Sequence, residues 1–258
     1  MEVFNKEDFL MGGFTQVSNE MPFNKELKDI DIIVYIYAKR LINYRNFSLL
    51  NMEYIYSMLK ANSRKTYTEI IYAFLNLMEE DLIDIYSTDY ERIDINELKP
   101  KDNFIVVFNE ENAGYFQVED ETIDKVIEYS KDLKSRWQFI RYYLMVRRSV
   151  NYHNGNEKAN VGYLTMNSIK DFIKNKSTIR KYNNILSENN IFYVNNNYVS
   201  PKTYKNLSTY FGLCSDMTRK EFERDVKSFA LACGYVEYDK EEISKKIKDT
   251  LKKRKCNL

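Results

Sequence analysis

The strongest constraint on the fold is an internal repeat, in which two stretches of the chain carry similar blocks of residues in the same order. The clearest pair of blocks is Lys39-Arg40-Leu41-Ile42-Asn43-Tyr44-Arg45-Asn46 and Arg147-Arg148-Ser149-Val150-Asn151-Tyr152-His153-Asn154, at an offset of 108 residues. Four further matches keep this order: 13–17 with 114–118, 32–36 with 140–144, 47–49 with 164–166, and 77–85 with 186–194. We infer two copies of one folding unit, at residues 13–112 and 114–212.

Both copies predict the same series of elements. In the first copy these are a strand at 14–17, a helix at about 25–43, a short helix at 50–60, a helix from Thr66 and a strand at 83–86. In the second copy they are a strand at 115–118, a helix at about 133–150, a short helix at 167–174, a helix from Thr178, and strands at 192–194 and 198–199 around an Asn-rich turn. Ser48 and Thr165 are predicted N-caps of the short helices.

Helix, helix, tight turn, helix and two-stranded hairpin is the element order of a winged helix-turn-helix. We therefore predict a mainly α protein with small β-hairpins, α+β in class, built as a tandem winged helix-turn-helix repeat with C-terminal helices. The predicted domains are a first winged helix at 1–112, a second at 113–212, and a C-terminal helical segment with a basic tail at 213–258. The C-terminal segment has predicted helices at 218–232 and 240–255.

The formal net charge of +1 conceals an uneven distribution. Residues 1–128 hold 13 basic and 25 acidic side chains, whereas residues 129–258 hold 26 basic and 13 acidic ones. Such an asymmetry indicates a nucleic-acid partner for the basic half. The acidic excess lies at 69–128, where 17 acidic side chains meet only 4 basic ones. We expect the acidic region 79–128 to face away from DNA, or to contact another protein or a second copy of this chain, with an ordinary soluble loop as the alternative.

The third helix of each copy is the candidate DNA reader, because in this architecture it lies in the major groove and the turn before it touches phosphate. The predicted contacts of the first copy are Ser63, Arg64, Lys65, Thr66, Thr68 and Tyr72, on a face that also carries Glu69 and Asn76. Those of the second copy are Lys174, Lys176, Ser177, Thr178, Arg180, Lys181 and Asn184. Arg180 suits guanine and Asn184 suits adenine. The alternative is an ordinary solvated helix face.

Several other features concern function less directly. The tail residues Lys245, Lys246, Lys248, Lys252, Lys253, Arg254 and Lys255 form a phosphate-binding arm, a membrane-surface helix or a frayed terminus. The aromatic residues Tyr35, Phe74, Phe139 and Tyr143 lie on apolar stripes, so we interpret them as core and not as base-stacking platforms.

Composition and motifs exclude several classes. A single histidine and three widely spaced cysteines leave no zinc site, disulfide framework or Ser-His-Asp triad to build, and no P-loop occurs, so we expect neither an enzyme nor a cofactor. The longest apolar run, near 32–38, is far shorter than the ~20 residues that span a bilayer. With no signal-peptide pattern at the N-terminus, we expect no membrane partner and a cytoplasmic location.

The sequence 14–19 (Phe-Thr-Gln-Val-Ser-Asn), the apolar run 32–37, and the stretches 63–66 and 80–83 resemble Gram-positive plasmid and phage replication initiators. These are the RepA N-terminal type and, more distantly, DnaD-like replisome organisers. The resemblance implies a sequence-specific double-stranded DNA-binding protein that initiates replication at origin repeats. It also implies a host replisome protein as a partner of the acidic region 79–128, with self-association as the alternative. One alternative is a winged-helix transcriptional regulator, and a second is a protein-interaction module that does not bind DNA.

Overall fold

A computed structural model describes residues 13–43, 45–60, 63–109, 114–151, 161–201 and 208–238. The fold is mixed, with helices and several small antiparallel sheets. The chain divides into two compact units, Met1–Arg148 and Ser149–Leu258. Within the described residues, no helix is both long and apolar enough to cross a membrane.

The first unit contains most of the helices that the repeat predicts, together with one that it does not. Its elements are β1 (Phe14–Ser18), α1 (Asp29–Lys39), β2 (Phe47–Leu50), α2 (Met52–Met58), α3 (Arg64–Glu79), β3 (Ile83–Ser87), β4 (Phe104–Phe108), β5 (Tyr115–Glu119), α4 (Asp120–Ser130) and the larger part of α5 (Arg136–Asn151). A three-stranded antiparallel sheet has the order β2-β4-β3, and β1 pairs with β5 in a second sheet.

The second unit repeats the three-stranded sheet. Its elements are β6 (Gly162–Thr165), α6 (Met166–Ile169), α7 (Lys176–Glu188), β7 (Phe192–Asn195), β8 (Tyr198–Val199), β9 (Ser208–Leu213), α8 (Arg219–Ala232) and β10 (Val236–Glu237). The sheet order β6-β9-β7 matches β2-β4-β3, and both sheets are antiparallel throughout. The helix predicted at 218–232 is confirmed, whereas the one predicted at 240–255 and the basic tail lie outside the described residues.

The ends of α3 and α7 show the repeat at the level of single hydrogen bonds. The Leu82 amide donates to the Leu77 carbonyl and the Ile191 amide to the Leu186 carbonyl, both at 3.0 Å. The residue before each donor has a left-handed backbone, with φ of 55° at Asp81 and 54° at Asn190. This is the hydrogen-bond pattern of a Schellman motif, which ends the helix and turns the chain into the next strand.

Helix α1 forms the centre of the first unit. Every residue from Ile30 to Ala38 is buried, so the helix has no polar face toward solvent over these positions. Helix α3 packs against it through one apolar stripe, Ile70, Ala73, Phe74 and Leu77. The predicted core aromatics Tyr35, Phe74, Phe139 and Tyr143 are buried, which confirms that interpretation.

The predicted short-helix N-caps are right in one copy and wrong in the other. Thr165 accepts a hydrogen bond from the Ser168 amide at 3.1 Å and caps α6. Ser48 instead lies buried in β2, and Asn51 caps α2 by accepting from the Tyr54 amide at 2.8 Å. The sequence pattern missed β2 and β6 because each is a four-residue strand that runs almost directly into a helix.

Other predicted pairings and boundaries also differ. The expected hairpin between β7 and residues 198–199 is wrong, because β7 pairs with β9 whereas Tyr198–Val199 pairs with β10. The expected strand of the second copy, β5, pairs with the equivalent strand β1 of the first copy, in a register centred on Gln16 and Gln117. The strand β5 and the unpredicted helix α4 therefore belong to the first unit, and the chain divides after Arg148 and not at residue 112.

A buried arginine on α5 explains why α1 starts at Asp29 and not near residue 25. The Arg141 guanidinium donates to the carbonyls of Pro22 and Leu27, both at 2.9 Å, and to that of Asn24. It also forms an ion pair with Asp29 at 3.1 Å. Burial lowers the pKa of Arg141, while Asp29 opposes that shift. These bonds hold residues 24–28, between a short 3-10 helix at Met21–Phe23 and α1, outside both helices.

We expect Arg141→Met to lower the free energy of unfolding of the first unit by about 3–5 kcal/mol, because it leaves buried carbonyls and Asp29 without their donor. Urea denaturation of both proteins measures the loss. The control is Arg92→Met, since Arg92 is exposed and its ion-pair partner is Asp84. That control should change stability by less than about 1 kcal/mol, and equal losses in both variants would contradict the anchoring role of Arg141.

Candidate nucleic-acid interface

Helix α3 begins at a side-chain cap. The Ser63 hydroxyl accepts a hydrogen bond from the Thr66 amide at 3.2 Å and lies 3.0 Å from the Thr66 hydroxyl. Both side chains are half-buried. Two of the predicted DNA contacts therefore already have a structural role at the helix start, where Ser63 supplies a side-chain acceptor to the Thr66 amide.

The exposed face of α3 is a stripe of three side chains one helical turn apart. Arg64, Thr68 and Tyr72 are all exposed, and Tyr72 has 58% of its surface accessible. The Thr68 hydroxyl donates to the Arg64 carbonyl at 3.3 Å, so its oxygen keeps a free lone pair for another donor. Among the described residues Arg64 has no acidic partner, whereas Lys65 lies 3.6 Å from Glu69.

Asn76 does not belong to this face, although the sequence pattern placed it there. Its amide donates to the Asp31 carboxylate at 2.7 Å and to the Glu26 carbonyl at 3.3 Å. Asp31 also accepts from the Lys28 amide at 2.7 Å, at the start of α1. Burial raises the pKa of Asp31 despite these bonds. Because the Asn76 amide bonds to Asp31 and Glu26, it serves the α1–α3 contact.

Helix α7, like α3, has one buried stripe and an opposite exposed face, and its exposed face carries more cations. Its buried residues are Ile179, Tyr182, Asn183 and Leu186. Opposite them lie the exposed side chains Lys176, Ser177, Arg180, Lys181 and Asn184, while Lys174 is exposed just before the helix and Thr178 is half-buried. Within the described part of the chain, none of the four cations Lys174, Lys176, Arg180 and Lys181 has an ion-pair partner.

The two helices differ in charge at equivalent positions. With the Leu77–Leu186 equivalence of the repeat, Thr68 corresponds to Ser177 and Tyr72 to Lys181. Small hydroxyl side chains therefore recur at one position, while an aromatic ring in α3 is replaced by an ammonium in α7. Both helices place these side chains on the face opposite the buried stripe.

The acidic region 79–128 is partly used within the first unit. Arg40 binds Asp124 through two hydrogen bonds, at 2.7 and 3.1 Å, and the Tyr37 hydroxyl donates to the same carboxylate at 2.7 Å. The Asp120 carboxylate accepts from Thr15 at 2.9 Å. Burial alone would raise the pKa of Asp124, but the bonds from Arg40 and Tyr37 lower it, so the carboxylate stays ionised.

Five acidic side chains of this region lie in the connection between β3 and β4, namely Asp89, Glu91, Asp94, Glu97 and Asp102. Asp89, Glu91 and Asp102 are exposed there. An isolated antiparallel β-bridge pairs Tyr86 with Arg92 and so brings the first residues of the connection back beside β3. The free acidic surface is therefore smaller than the sequence count of residues 79–128 implies.

The connection between α4 and α5 reaches the C-terminal end of α2. The Arg136 guanidinium donates to the Leu59 carbonyl at 2.5 Å. The Glu128 carboxylate forms ion pairs with Lys60 and with Lys131, the latter at 2.5 Å. Sequence reasoning missed this cluster, because Lys60 and Lys131 are far apart in the chain and α4 has no counterpart in the first copy.

No protein-family model and no curated protein sequence matches this chain.

We expect Ser63→Ala to reduce the free energy of unfolding by about 0.5–2 kcal/mol, because the Thr66 amide loses its side-chain acceptor. Ser177→Ala is the matched control at the equivalent helix, since Ser177 is exposed and caps nothing. Its stability should change by less than about 0.5 kcal/mol. Thermal denaturation of both variants measures the difference, and equal effects would contradict the assigned cap.

Proposed function

We propose that each unit is a winged helix-turn-helix and that the protein binds double-stranded DNA, sequence-specifically, through the exposed faces of α3 and α7. The fold proposal is supported by the element order that the two units share: a strand, a short helix, a longer helix and two further strands of the same sheet. Along the chain, α1 precedes this series in the first copy, and α5, most of which belongs to the first unit, precedes it in the second. The fold proposal is also supported by the shared sheet order, in which the first strand pairs with the last. In such a fold the longer helix enters the major groove.

The observation that carries the DNA-binding proposal is the set of unpaired cations at α7. Lys174, Lys176, Arg180 and Lys181 are exposed, and within the described residues none of them is neutralised by a carboxylate. An isolated group of like charges has a self-repulsion that a polyanion relieves, and the release of counterions from DNA favours this binding. Asn184 on the same face offers an amide to a base edge.

Helix α3 is proposed to read bases more than phosphates. Its exposed stripe begins with Arg64, a cation that has no acidic partner in the part of the chain that the structure describes, and continues with the hydroxyl of Thr68 and the ring of Tyr72. A guanidinium binds guanine through two hydrogen bonds, and hydroxyl and apolar groups contact thymine methyl groups and base edges. Because this face has few cations to bind phosphate, we expect it to contribute little to the salt-dependent part of the affinity for DNA.

The cellular role proposed is initiation of plasmid or phage replication, on the basis of the sequence resemblance. A transcriptional regulator of the same fold would use the same two surfaces, so the two roles differ in the position of the DNA site and not in chemistry. Exposed Asp89, Glu91 and Asp102 are the surface proposed for a replisome protein or for self-association. A protein-interaction module that does not bind DNA is the competing proposal.

Selection of bound duplexes from a random pool tests DNA binding and specificity together. The proposal predicts enrichment of one motif, and iterated copies of that motif beside the gene would favour an initiator over a regulator. Recovery of an unenriched pool would contradict sequence-specific binding. A lack of recovery at low salt would contradict DNA binding altogether and favour the protein-interaction module.

We expect Arg180→Ala to weaken binding to the selected motif by about 1–3 kcal/mol and to relax selection at one base position. Arg224→Ala is the matched control, because Arg224 is an exposed arginine of the same unit that already pairs with Asp225. Competition binding with single-base variants of the motif measures both effects. Equal weakening of Arg180→Ala on every sequence would show that Arg180 contacts phosphate only.

A further inference from the structure

We propose that Lys60 and Lys131 form a phosphate-binding pair beside the start of α3, and that Glu128 restrains both of them. The pair would contact the backbone of the duplex whose bases α3 reads. This inference rests on the proposed function, and it adds a contact surface that the repeat does not contain. The surface combines Lys60, which follows α2, with Glu128 of α4 and Lys131 of the α4–α5 connection, residues 131–135.

Hydrogen bonds fix the position of this connection against α2. Arg136 donates to the carbonyl of Leu59, the residue that follows α2, and to the Ser130 hydroxyl at 3.3 Å. Its guanidinium also lies 4.6 Å from the centre of the Trp137 ring. Burial lowers the pKa of Arg136, which is half-buried. Arg136 therefore acts as a positioning residue.

Lys60 and Lys131 are brought together by one carboxylate. Both ammonium groups bond to Glu128, one to each of its oxygens. The two side chains remain about half exposed, at 51% for Lys60 and 54% for Lys131. The hydrogen bonds from Lys131 and Lys60 lower the pKa of Glu128 to about 2, so the cluster holds two positive charges and one negative charge at neutral pH.

The cluster lies where a duplex bound by α3 would present phosphate. Ser63 starts α3 only three residues after Lys60, so the two Cα atoms are separated by at most about 11 Å. The first amides of a helix already favour an anion at this place. Lys134 is exposed in the same connection, and Arg64 is exposed in the first turn of α3, where it has no acidic partner among the described residues. With Lys60 and Lys131 they outnumber the carboxylates Glu128 and Asp132, which favours an extended polyanion as the ligand.

Glu128 limits how strongly the pair binds. A phosphate that approaches Lys60 and Lys131 must share them with the carboxylate, and it is repelled by the same carboxylate at close range. The arrangement keeps the two ammonium groups oriented in the absence of DNA. Removal of the negative charge should consequently strengthen binding, whereas removal of either lysine should weaken it.

The test compares the salt dependence of duplex binding for single variants of the full chain. Lys60→Ala and Lys131→Ala should each weaken binding on every sequence and reduce the slope of log affinity against log salt by about one unit. Glu128→Gln should tighten binding about two- to fivefold at low salt. The matched control is Lys125→Ala, since Lys125 is an equally exposed lysine of α4 that pairs with Glu121.

Each outcome bears on the proposal. The proposal is overturned if the salt slope of Lys60→Ala and Lys131→Ala equals that of the unmodified protein. It is also overturned if Lys125→Ala reduces the salt slope by the same amount, or if Glu128→Gln binds the duplex more weakly. Thermal denaturation confirms that the variants are folded, as expected for exposed ion pairs that contribute little stability. If the unmodified protein binds no duplex, the proposed function fails; if it binds and only these slopes stay unchanged, the phosphate pair alone is wrong.

Discussion

The complete burial of α1 is the constraint on which the first unit depends. A helix with no face toward solvent between Ile30 and Ala38 must be covered by other elements, and α3 covers it with the stripe that contains Phe74 and Leu77. Since one face of α3 is fixed in this way, the opposite face with Arg64, Thr68 and Tyr72 is left exposed. The position of the candidate base-reading surface is thus a consequence of how α3 packs on α1, and burial of apolar side chains drives that packing.

The polar contacts around α1 define where it starts and where it ends. At its start, Arg141 binds the carbonyls of the preceding segment, and Asp31 joins Asn76 of α3 to the first turn. At its end, Arg40 and Tyr37 bind Asp124 of α4. Each contact joins residues more than forty positions apart in the chain. They are buried or half-buried, so their loss would leave polar groups without partners.

Most of the helices were predictable, with α4 as an exception, whereas most of the strand pairing was not. An apolar stripe at helical spacing identifies α3 and α7 directly, and repeated sequence blocks identify their equivalence. Four-residue strands such as β2 and β6 carry too few alternations to be recognised, and nothing local to β1 indicates that it pairs with β5. Those pairings depend on contacts between distant residues, which periodicity does not report.

The candidate site was also predictable only in part. Exposure of Arg180, Lys181 and Asn184 follows from their position opposite the stripe of α7, which the sequence pattern identified. The capping role of Ser63 and the inward bond of Asn76 required coordinates, because a polar side chain at the edge of a stripe can face either way. Likewise, a count of charges could not show that Asp120, Asp124 and Glu128 have basic or hydroxyl partners.

The most direct test of the central claim is the equilibrium affinity of the full chain for duplex DNA, measured across a series of salt concentrations. Binding through the cations of α7 predicts that log affinity falls linearly with log salt, with a slope near −0.9 for each phosphate contacted. Neutralising Lys174, Lys176 and Lys181 together should make that slope shallower by about three units. Absence of binding at low salt, or an affinity that does not change with salt, would contradict the account.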